Sequence, residues 1–180
     1  MRVLIIYAST HGQTEKIARR IADVVQHDGA TCDVVSVEDA GVVSLSAHDV
    51  VILAGSVHFG RHQRKLEALI ERKLAALTST KCALVSVSGA AATADGRDQA
   101  EAYVRELSRR TGWVPEVFVT IGGGEPYTRY GFFTRILMRS IARRHGRQVD
   151  VHTDYEFTDW DAVDRFARDF IRYASAKRTA

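Results

Sequence analysis

An unbroken run of apolar residues from Val3 to Tyr7 has the length of one β-strand. Because no polar residue alternates within it, such a strand must be buried on both faces, as strands of a parallel sheet are. A polar turn follows the run, and apolar residues then recur at spacings of three and four, which predicts an amphipathic helix (Ile17, Ala18, Ile21, Ala22 and Val25). A buried strand that leads through a short turn into a helix predicts a parallel sheet covered by helices.

The turn between this strand and this helix is rich in hydroxyl and amide side chains (Ser9, Thr10, His11, Gly12, Gln13 and Thr14). Free backbone N–H groups and the positive end of the helix converge at such a turn, which favours an anion. The alternative is that Ser9 and Thr10 only cap the helix. Since one cap needs fewer polar side chains than the turn contains, we predict that these six residues bind phosphate.

Two well-known phosphate loops are absent from the sequence. No GxGxxG pattern follows the first strand, and no GxxxxGK pattern ending in Ser or Thr occurs anywhere. A ligand with a single small phosphate therefore remains the best candidate. A turn rich in Ser and Thr that closes on Thr14 after the first strand resembles the phosphate loop of flavodoxin-like proteins, whose ligand is flavin mononucleotide (FMN).

Further strands and helices alternate along the chain. The apolar runs predict strands over Thr31–Val37, Asp49–Ala54, Lys81–Val87 and Val114–Ile121, with a short helical or irregular link over 38–48. Helical spacing appears over 66–77, around 102–107 and over 163–173, the last after a polar cap at 158–161. This order predicts an α/β fold with an open doubly wound five-stranded parallel sheet and helices on both faces, and the resemblance of the first turn implies the flavodoxin-like type of this fold.

Length and composition predict one domain over residues 1–180, and the resemblance of the first turn implies that this domain is flavodoxin-like. A hydrophobic fraction of 46% is sufficient for one core. No apolar run is long enough to cross a bilayer, and the first residues already form a strand, so we expect neither a transmembrane helix nor a signal peptide, and a cytoplasmic location. Cys32 and Cys82 lie in apolar strand-like runs without metal-binding spacing, which predicts buried thiols, no disulfide and no metal.

Ligands of open α/β sheets bind beyond the carboxyl ends of the strands. Three predicted loops meet there, over 9–14, 56–61 and 86–91. The first is expected to bind the phosphate, and the other two are expected to flank a planar ring (Ser56, Val57, His58, Phe59, Gly60, Ser86, Val87, Ser88 and Gly89). Phe59 offers a stacking surface. The alternatives are that Phe59 packs onto the core and that His58 is solvated.

An insertion over residues 122–154 separates the fifth strand from the last helix. At helical pitch, an aromatic and aliphatic stripe lies beside an arginine stripe (Arg135, Arg139 and Arg143), with Arg129 preceding it. From Pro126 to Val149 there are six arginines and no acid, although the whole chain has a net charge of only +3. Three interpretations remain open, namely a helix at a membrane interface, a basic groove for a carboxylate and an ordinary solvated helix. No nucleic-acid motif accompanies the arginines, so we expect no nucleic-acid partner.

Four segments together resemble one branch of the flavodoxin-like group, the menaquinone-dependent protoporphyrinogen IX dehydrogenases of haem biosynthesis. They are HGQTEKIA (11–18), GSVHFGRH (55–62), YTRYGFFTRILMRSIARR (127–144) and FTDWDAVDRFARDF (157–170). The resemblance implies an FMN enzyme, peripheral to the inner membrane, that oxidises protoporphyrinogen IX and passes electrons to menaquinone or ubiquinone. We expect no catalytic side chain, because the flavin itself carries the redox chemistry.

Two other functions are compatible with a flavodoxin-like fold. An FMN electron carrier would dock on partner proteins and is expected to be acidic, whereas this chain has a pI near 9.0. An NAD(P)H-dependent quinone reductase would need residues that select a nicotinamide, and the sequence shows none. A homo-oligomer remains possible in each case.

Overall fold

The structure, a computed structural model, describes residues 1–125 and 155–176. Its central sheet consists of β1 (Arg2–Ala8), β2 (Thr31–Ser36), β3 (Val50–His58), β4 (Arg61–His62), β5 (Lys81–Ser88) and β6 (Val117–Gly122). Five of these strands are parallel, in the order β2-β1-β3-β5-β6, and the short strand β4 pairs antiparallel with β3. The chain places β2 on one side of β1 and all later strands on the other side. The strand order therefore reverses beside β1, which is the topological switch point of the sheet.

Helices cover both faces of the sheet. They are α1 (Gln13–His27), α2 (Arg64–Arg72), α3 (Leu74–Ser79), α4 (Arg97–Thr111) and α5 (Trp160–Ala176). Val3 and Ile5 of β1 pack in the same core as α1 and α5, whereas Leu4 and Ile6 pack in the core that contains α2 and α4. All four side chains are fully buried. The predicted fold class is therefore confirmed for the sheet and the helix layers, because the apolar run is indeed buried on both faces.

The single helix predicted over 66–77 is wrong, because the chain breaks it at Lys73. The N–H of Lys73 bonds to the carbonyl groups of both Leu69 and Ile70, which tightens the end of α2. Lys73 itself has φ −108° and ψ 15°, outside the helical range. Its carbonyl accepts from Leu77, so α3 begins directly after the break. The apolar residues before and after Lys73 still face the core, so their spacing in the sequence gave no sign of the break.

The fifth strand of the sheet, β6, begins at Val117 instead of the predicted Val114. Val114 is 77% exposed, and Pro115 has no N–H to donate to a neighbouring strand. The polar cap predicted at 158–161 is confirmed only for Asp159, whose Oδ1 accepts the N–H of Ala162 at 2.9 Å and so caps α5. Thr158 has other partners, which are described below.

A two-stranded antiparallel ribbon lies where the predicted insertion leaves and rejoins the domain. Its strands are β7 (Gly124–Glu125) and β8 (Tyr155–Glu156). The ribbon is continued by a hydrogen bond from the N–H of Phe157 to the carbonyl of Gly123, at 3.1 Å. The predicted aromatic and arginine stripes, with Arg129, Arg135, Arg139 and Arg143, lie outside the described residues.

The remaining expectations concern membranes and cysteines. Among the helices of residues 1–125 and 155–176, none combines the length and the apolar character needed to cross a membrane. Cys82 is buried as predicted, but Cys32 on the edge strand β2 is only half-buried. Burial raises the pKa of each thiol to about 12, so neither is a reactive thiolate near neutral pH.

Candidate functional site

The turn after β1 is shaped by a glycine in the left-handed conformation. Gly12 has φ 92° and is the N-cap of α1, and no side chain caps the helix. Ser9 Oγ instead accepts the N–H of Gly12 at 3.0 Å, within the turn. The interpretation of Ser9 and Thr10 as helix caps is therefore wrong. Because the first N–H groups of any helix have no intrahelical acceptor, those of Gln13 and Thr14 remain available to an anion.

Gln63 joins this turn to the neighbouring strand. Its Nε2 donates to Thr10 Oγ1 at 3.1 Å and to Ser56 Oγ at 2.7 Å. Ser56 Oγ in turn lies 3.4 Å from the carbonyl of Ala8, to which it donates. Gln63 was missed at the sequence level, since a polar residue just before a helix gives no sign of its distant partners. The contacts place Thr10 and Ser56, both predicted site residues, at the same edge of the sheet.

The predicted ring loop over 56–61 is wrong as secondary structure, because β3 continues to His58 and turns back into β4. Val57 pairs with His62, and His58 pairs with Arg61. The turn consists of Phe59 and Gly60 alone, with φ 50° and 77°. Two consecutive positive φ values are typical of the type I′ turn, whose twist matches a β-hairpin. The segment is thus a tight hairpin at the carboxyl end of β3.

Phe59 lies at the tip of this hairpin and is 83% exposed. The alternative that Phe59 packs onto the core is therefore wrong. A non-glycine residue at positive φ is strained, and strain of this kind is concentrated at functional sites. Stacking of Phe59 on a ring stays a prediction, for which the exposed aromatic face is available.

His58 lies half-buried on the hairpin, and its Nε2 is buried without a hydrogen-bond partner among the described residues. The ring of His11 meets it edge to face, with centroids 5.6 Å apart. Burial lowers the pKa of His58, and the charge of His11 lowers it further, so His58 is neutral near pH 7. A buried nitrogen without a partner is uncommon, and a polar ligand atom at this edge would satisfy it.

The predicted strand Lys81–Val87 is confirmed as β5, which also includes Ser88, so the predicted loop over 86–91 begins only after Ser88. Ser86, Val87 and Ser88 are 0%, 3% and 5% exposed. Ser86 Oγ lies 3.1 Å from Nε2 of His62, which belongs to the second strand of the hairpin, β4. Ser88 Oγ accepts the N–H of Ala91 at 3.2 Å and so shapes the loop that begins at exposed Gly89. Only Gly89 of this group lies in the loop, whereas Ser86 supports the hairpin from within the sheet.

A partly buried ion pair also stabilises the hairpin. Arg61 Nε donates to Glu67 Oε1 at 2.9 Å, and its Nη2 donates to Oε2 of the same carboxylate. Glu67 belongs to α2 and is 5% exposed. The two parallel hydrogen bonds fix the guanidinium on α2, so the hairpin is attached to the helix beneath it.

The described residues fit a ligand with one phosphate and a planar ring. The first turn of α1 presents N–H groups to an anion, with Thr10 and Thr14 beside them. Exposed Phe59 and the unpartnered nitrogen of His58 lie on the neighbouring hairpin. Within residues 1–125 and 155–176, no group of three His, Cys, Asp or Glu side chains is arranged to bind a metal ion.

Comparison with known proteins agrees with this geometry. A family model described as Flavodoxin domain matches residues 4–152, which is most of the chain. The chain belongs to this flavodoxin-domain family. Its solved structural relatives include flavodoxin 1 of Bacillus cereus, with a TM-score of 0.57 and 17% identity over 96% of this chain and 98% of that one. A short-chain flavodoxin associated with a bacterial microcompartment has a TM-score of 0.59 and 12% identity over 97% and 99% of the two chains. At these identities the solved structures show the shared fold alone.

Two relatives of this flavodoxin-domain protein carry an enzyme name, protoporphyrinogen IX dehydrogenase [quinone]. The protein from Leishmania major is 29% identical and is matched over 94% of this chain and 74% of its own length. The protein from Escherichia coli strain K12 is 26% identical, with 94% of both chains covered. These matches confirm the resemblance inferred from the four sequence segments. Together with the family membership they support a flavoprotein oxidoreductase.

Proposed function

We propose that this protein is an FMN-dependent enzyme that oxidises protoporphyrinogen IX to protoporphyrin IX and passes the electrons to a membrane quinone. The observation that carries the proposal is the match to proteins named for this reaction over 94% of the chain. The geometry of the described site supports it, since the turn, the hairpin and the loop at Gly89 meet at one sheet edge.

The protein residues bind and orient the cofactor in this proposal. The N–H groups of Gln13 and Thr14 and the hydroxyl groups of Thr10 and Thr14 would bind the phosphate, whose charge the positive end of α1 favours. His58 and Phe59 of the hairpin and Gly89 of the following loop would hold the ring. FMN, when bound, supplies the electron transfer. Neutral His58 is available to hydrogen-bond a polar atom of the ring without adding charge.

We propose that the arginines of the insertion bind either the substrate or the membrane surface. Protoporphyrinogen IX carries two propionates, and arginine forks bind carboxylates through paired hydrogen bonds. A quinone is dissolved in lipid, so an enzyme that reduces it benefits from an apolar stripe beside basic residues at the membrane surface. We therefore propose peripheral attachment to the inner membrane, with menaquinone or ubiquinone as the acceptor.

Anaerobic turnover of protoporphyrinogen IX by the FMN-loaded protein with a menaquinone analogue tests the proposal. Porphyrin fluorescence is expected to rise only when protein, flavin and quinone are all present, because the quinone is the sole electron acceptor. The apoprotein and a sample without quinone are the controls. Absence of porphyrin with loaded protein would overturn the proposed reaction. Rapid reduction of the bound flavin by NADPH would favour the quinone-reductase alternative instead.

Charge reversal in the insertion separates its proposed roles from those of an ordinary solvated helix. Replacement of Arg135, Arg139 and Arg143 by glutamate is expected to lower sedimentation with anionic liposomes or to weaken porphyrin binding by about tenfold or more, since the new carboxylates carry the same negative charge as the lipids and the propionates and repel them. A matched control reverses three arginines that are exposed on α2, α4 and α5 (Arg72, Arg105 and Arg172). Equal results for both triple variants would show that only net charge matters.

A further inference from the structure

The segment between β8 and α5 passes beside the first turn of α1. Gln13, the first residue of that helix, donates from Nε2 to Thr158 Oγ1 at 2.8 Å. The Thr158 hydroxyl donates in turn to the carbonyl of Gly122 at the end of β6, also at 2.8 Å. A second contact joins Lys16 Nζ to Glu156 Oε2 at 3.4 Å. One half-buried hydroxyl therefore connects α1, β6 and the chain that enters α5.

The partners of Thr158 are themselves held in place by close packing. A Cβ at Gly122 would lie 2.5 Å from the carbonyl oxygen of Phe157, so the two chain segments touch as closely as backbone allows. The N–H of Phe157 donates to Gly123, whose own N–H donates to Ser88 at the end of β5, each at 3.1 Å. Thr158 thus projects from a segment that is hydrogen-bonded to the sheet, and it offers Gln13 a fixed acceptor.

The first turn of α1 needs such support, because its N-cap provides little. Gly12, at φ 92°, has no side chain to restrict its backbone, so it does little to fix the start of the helix. N–H groups that must converge on one anion bind it more tightly when their positions are set beforehand. The side chain of Gln13 is bonded to Thr158, so its main-chain N–H, which opens the helix, is fixed from outside the turn.

We propose that Thr158 is a positioning residue for the flavin phosphate, acting through Gln13, and that it couples phosphate binding to the ribbon of β7 and β8. This inference rests on the proposed binding of FMN at the turn. By thermodynamic linkage, if the ordered ribbon strengthens phosphate binding, bound phosphate must stabilise the ribbon by the same factor. The coupling passes through the two hydrogen bonds of one hydroxyl group.

Fluorescence titration with FMN gives the first test. Thr158→Val removes the hydroxyl at nearly constant volume and is expected to raise the Kd about tenfold, whereas Thr158→Ser is expected to stay within about twofold of wild type, because serine keeps both hydrogen bonds. Gln13→Met removes the donor and leaves the bond from Thr158 to Gly122 intact. The double variant is expected to bind no more weakly than Thr158→Val, since the residues act as one unit. Thr31→Val, exposed on β2, is the matched control.

Hydrogen exchange of the Phe157 amide gives the second test. The exchange rate is compared between FMN-free and FMN-saturated protein, for wild type and for Thr158→Val. Binding is expected to slow this amide about tenfold in wild type and by much less in the variant. The Asp49 amide, bonded to Arg2 at the opposite end of the sheet, serves as the internal control. Equal Kd values for wild type and Thr158→Val, or equal slowing in both, would overturn the inference. A wild-type protein that does not bind FMN would instead overturn the proposed function.

Discussion

Replacement of Thr10 and Thr14 together by alanine is expected to weaken FMN binding about 100-fold. In the proposed site each hydroxyl donates to a charged phosphate, and a hydrogen bond to a charged group contributes about 1.5 to 3 kcal/mol, so the loss of two corresponds to at least two orders of magnitude in Kd. Thr14 is 1% exposed and Thr10 is already oriented by Gln63, so neither hydroxyl has to be ordered when the phosphate binds. Titration of flavin fluorescence against the apoprotein measures the effect.

The control for this double variant must separate binding from folding, because Thr14 is buried. Thr31 and Thr78 are exposed far from the turn, and their double replacement by alanine is expected to leave the Kd unchanged. The single Thr10→Ala variant changes only an exposed position and is expected to show part of the loss without loss of structure. An unchanged Kd in the folded double variant would remove the assignment of the turn as a phosphate site.

His62 is expected to make the folded protein less stable as the pH falls below neutrality. Burial lowers the pKa of His62 to about 4, from the usual value of 6.5, although the charge of Glu67 acts in the opposite direction. Between these two values the unfolded chain binds a proton that the folded protein does not. The contribution of His62 to the free energy of unfolding therefore rises with pH from about 4 to 6.5 and is level above that range. The shift corresponds to about 3 kcal/mol at 1.36 kcal/mol per pKa unit.

Denaturant unfolding of wild type and His62→Gln at several pH values measures this contribution. The variant is expected to be less stable at pH 7, where the bond to Ser86 and the packing of the ring are disturbed. This difference should shrink by up to about 3 kcal/mol towards pH 4, because glutamine does not titrate. His27→Gln, at the exposed end of α1, is the control and should parallel wild type. A constant difference between wild type and His62→Gln would mean that His62 is not buried in its neutral form.

Local sequence patterns predict much of the site, but not the shape of its second element. Ser9 to Thr14 form a predicted turn because their polar side chains follow a fully apolar strand directly. The segment around Phe59 also resembles a loop, since glycines flank it and it lacks the Asn-Gly pair that usually marks a two-residue hairpin. Its conformation depends on pairing with β4, and on the attachment of Arg61 to Glu67 in α2. Only the folded chain brings these groups together.

The contacts of Gln63 and Thr158 could not be predicted for a related reason. Gln13 and Thr158 are 145 positions apart, and Gln63 is 53 positions from Thr10. Glutamine and threonine form hydrogen bonds in any environment, so residue type alone does not select one distant partner over another. The break at Lys73 was missed in the same way, because both short helices keep their apolar residues on the same side.

The apolar run from Val3 to Tyr7, with the polar turn after it, determines by itself that this chain forms a buried parallel strand and places a phosphate-type turn at its end. Burial of apolar surface on both faces permits no other position for the run, and the helix that follows it directs free N–H groups to one point. The tertiary structure alone decides what surrounds that point. The hairpin, Gln63 and the link from Gln13 to Thr158 depend on long-range pairing of polar groups, for which a linear sequence contains no periodic signal.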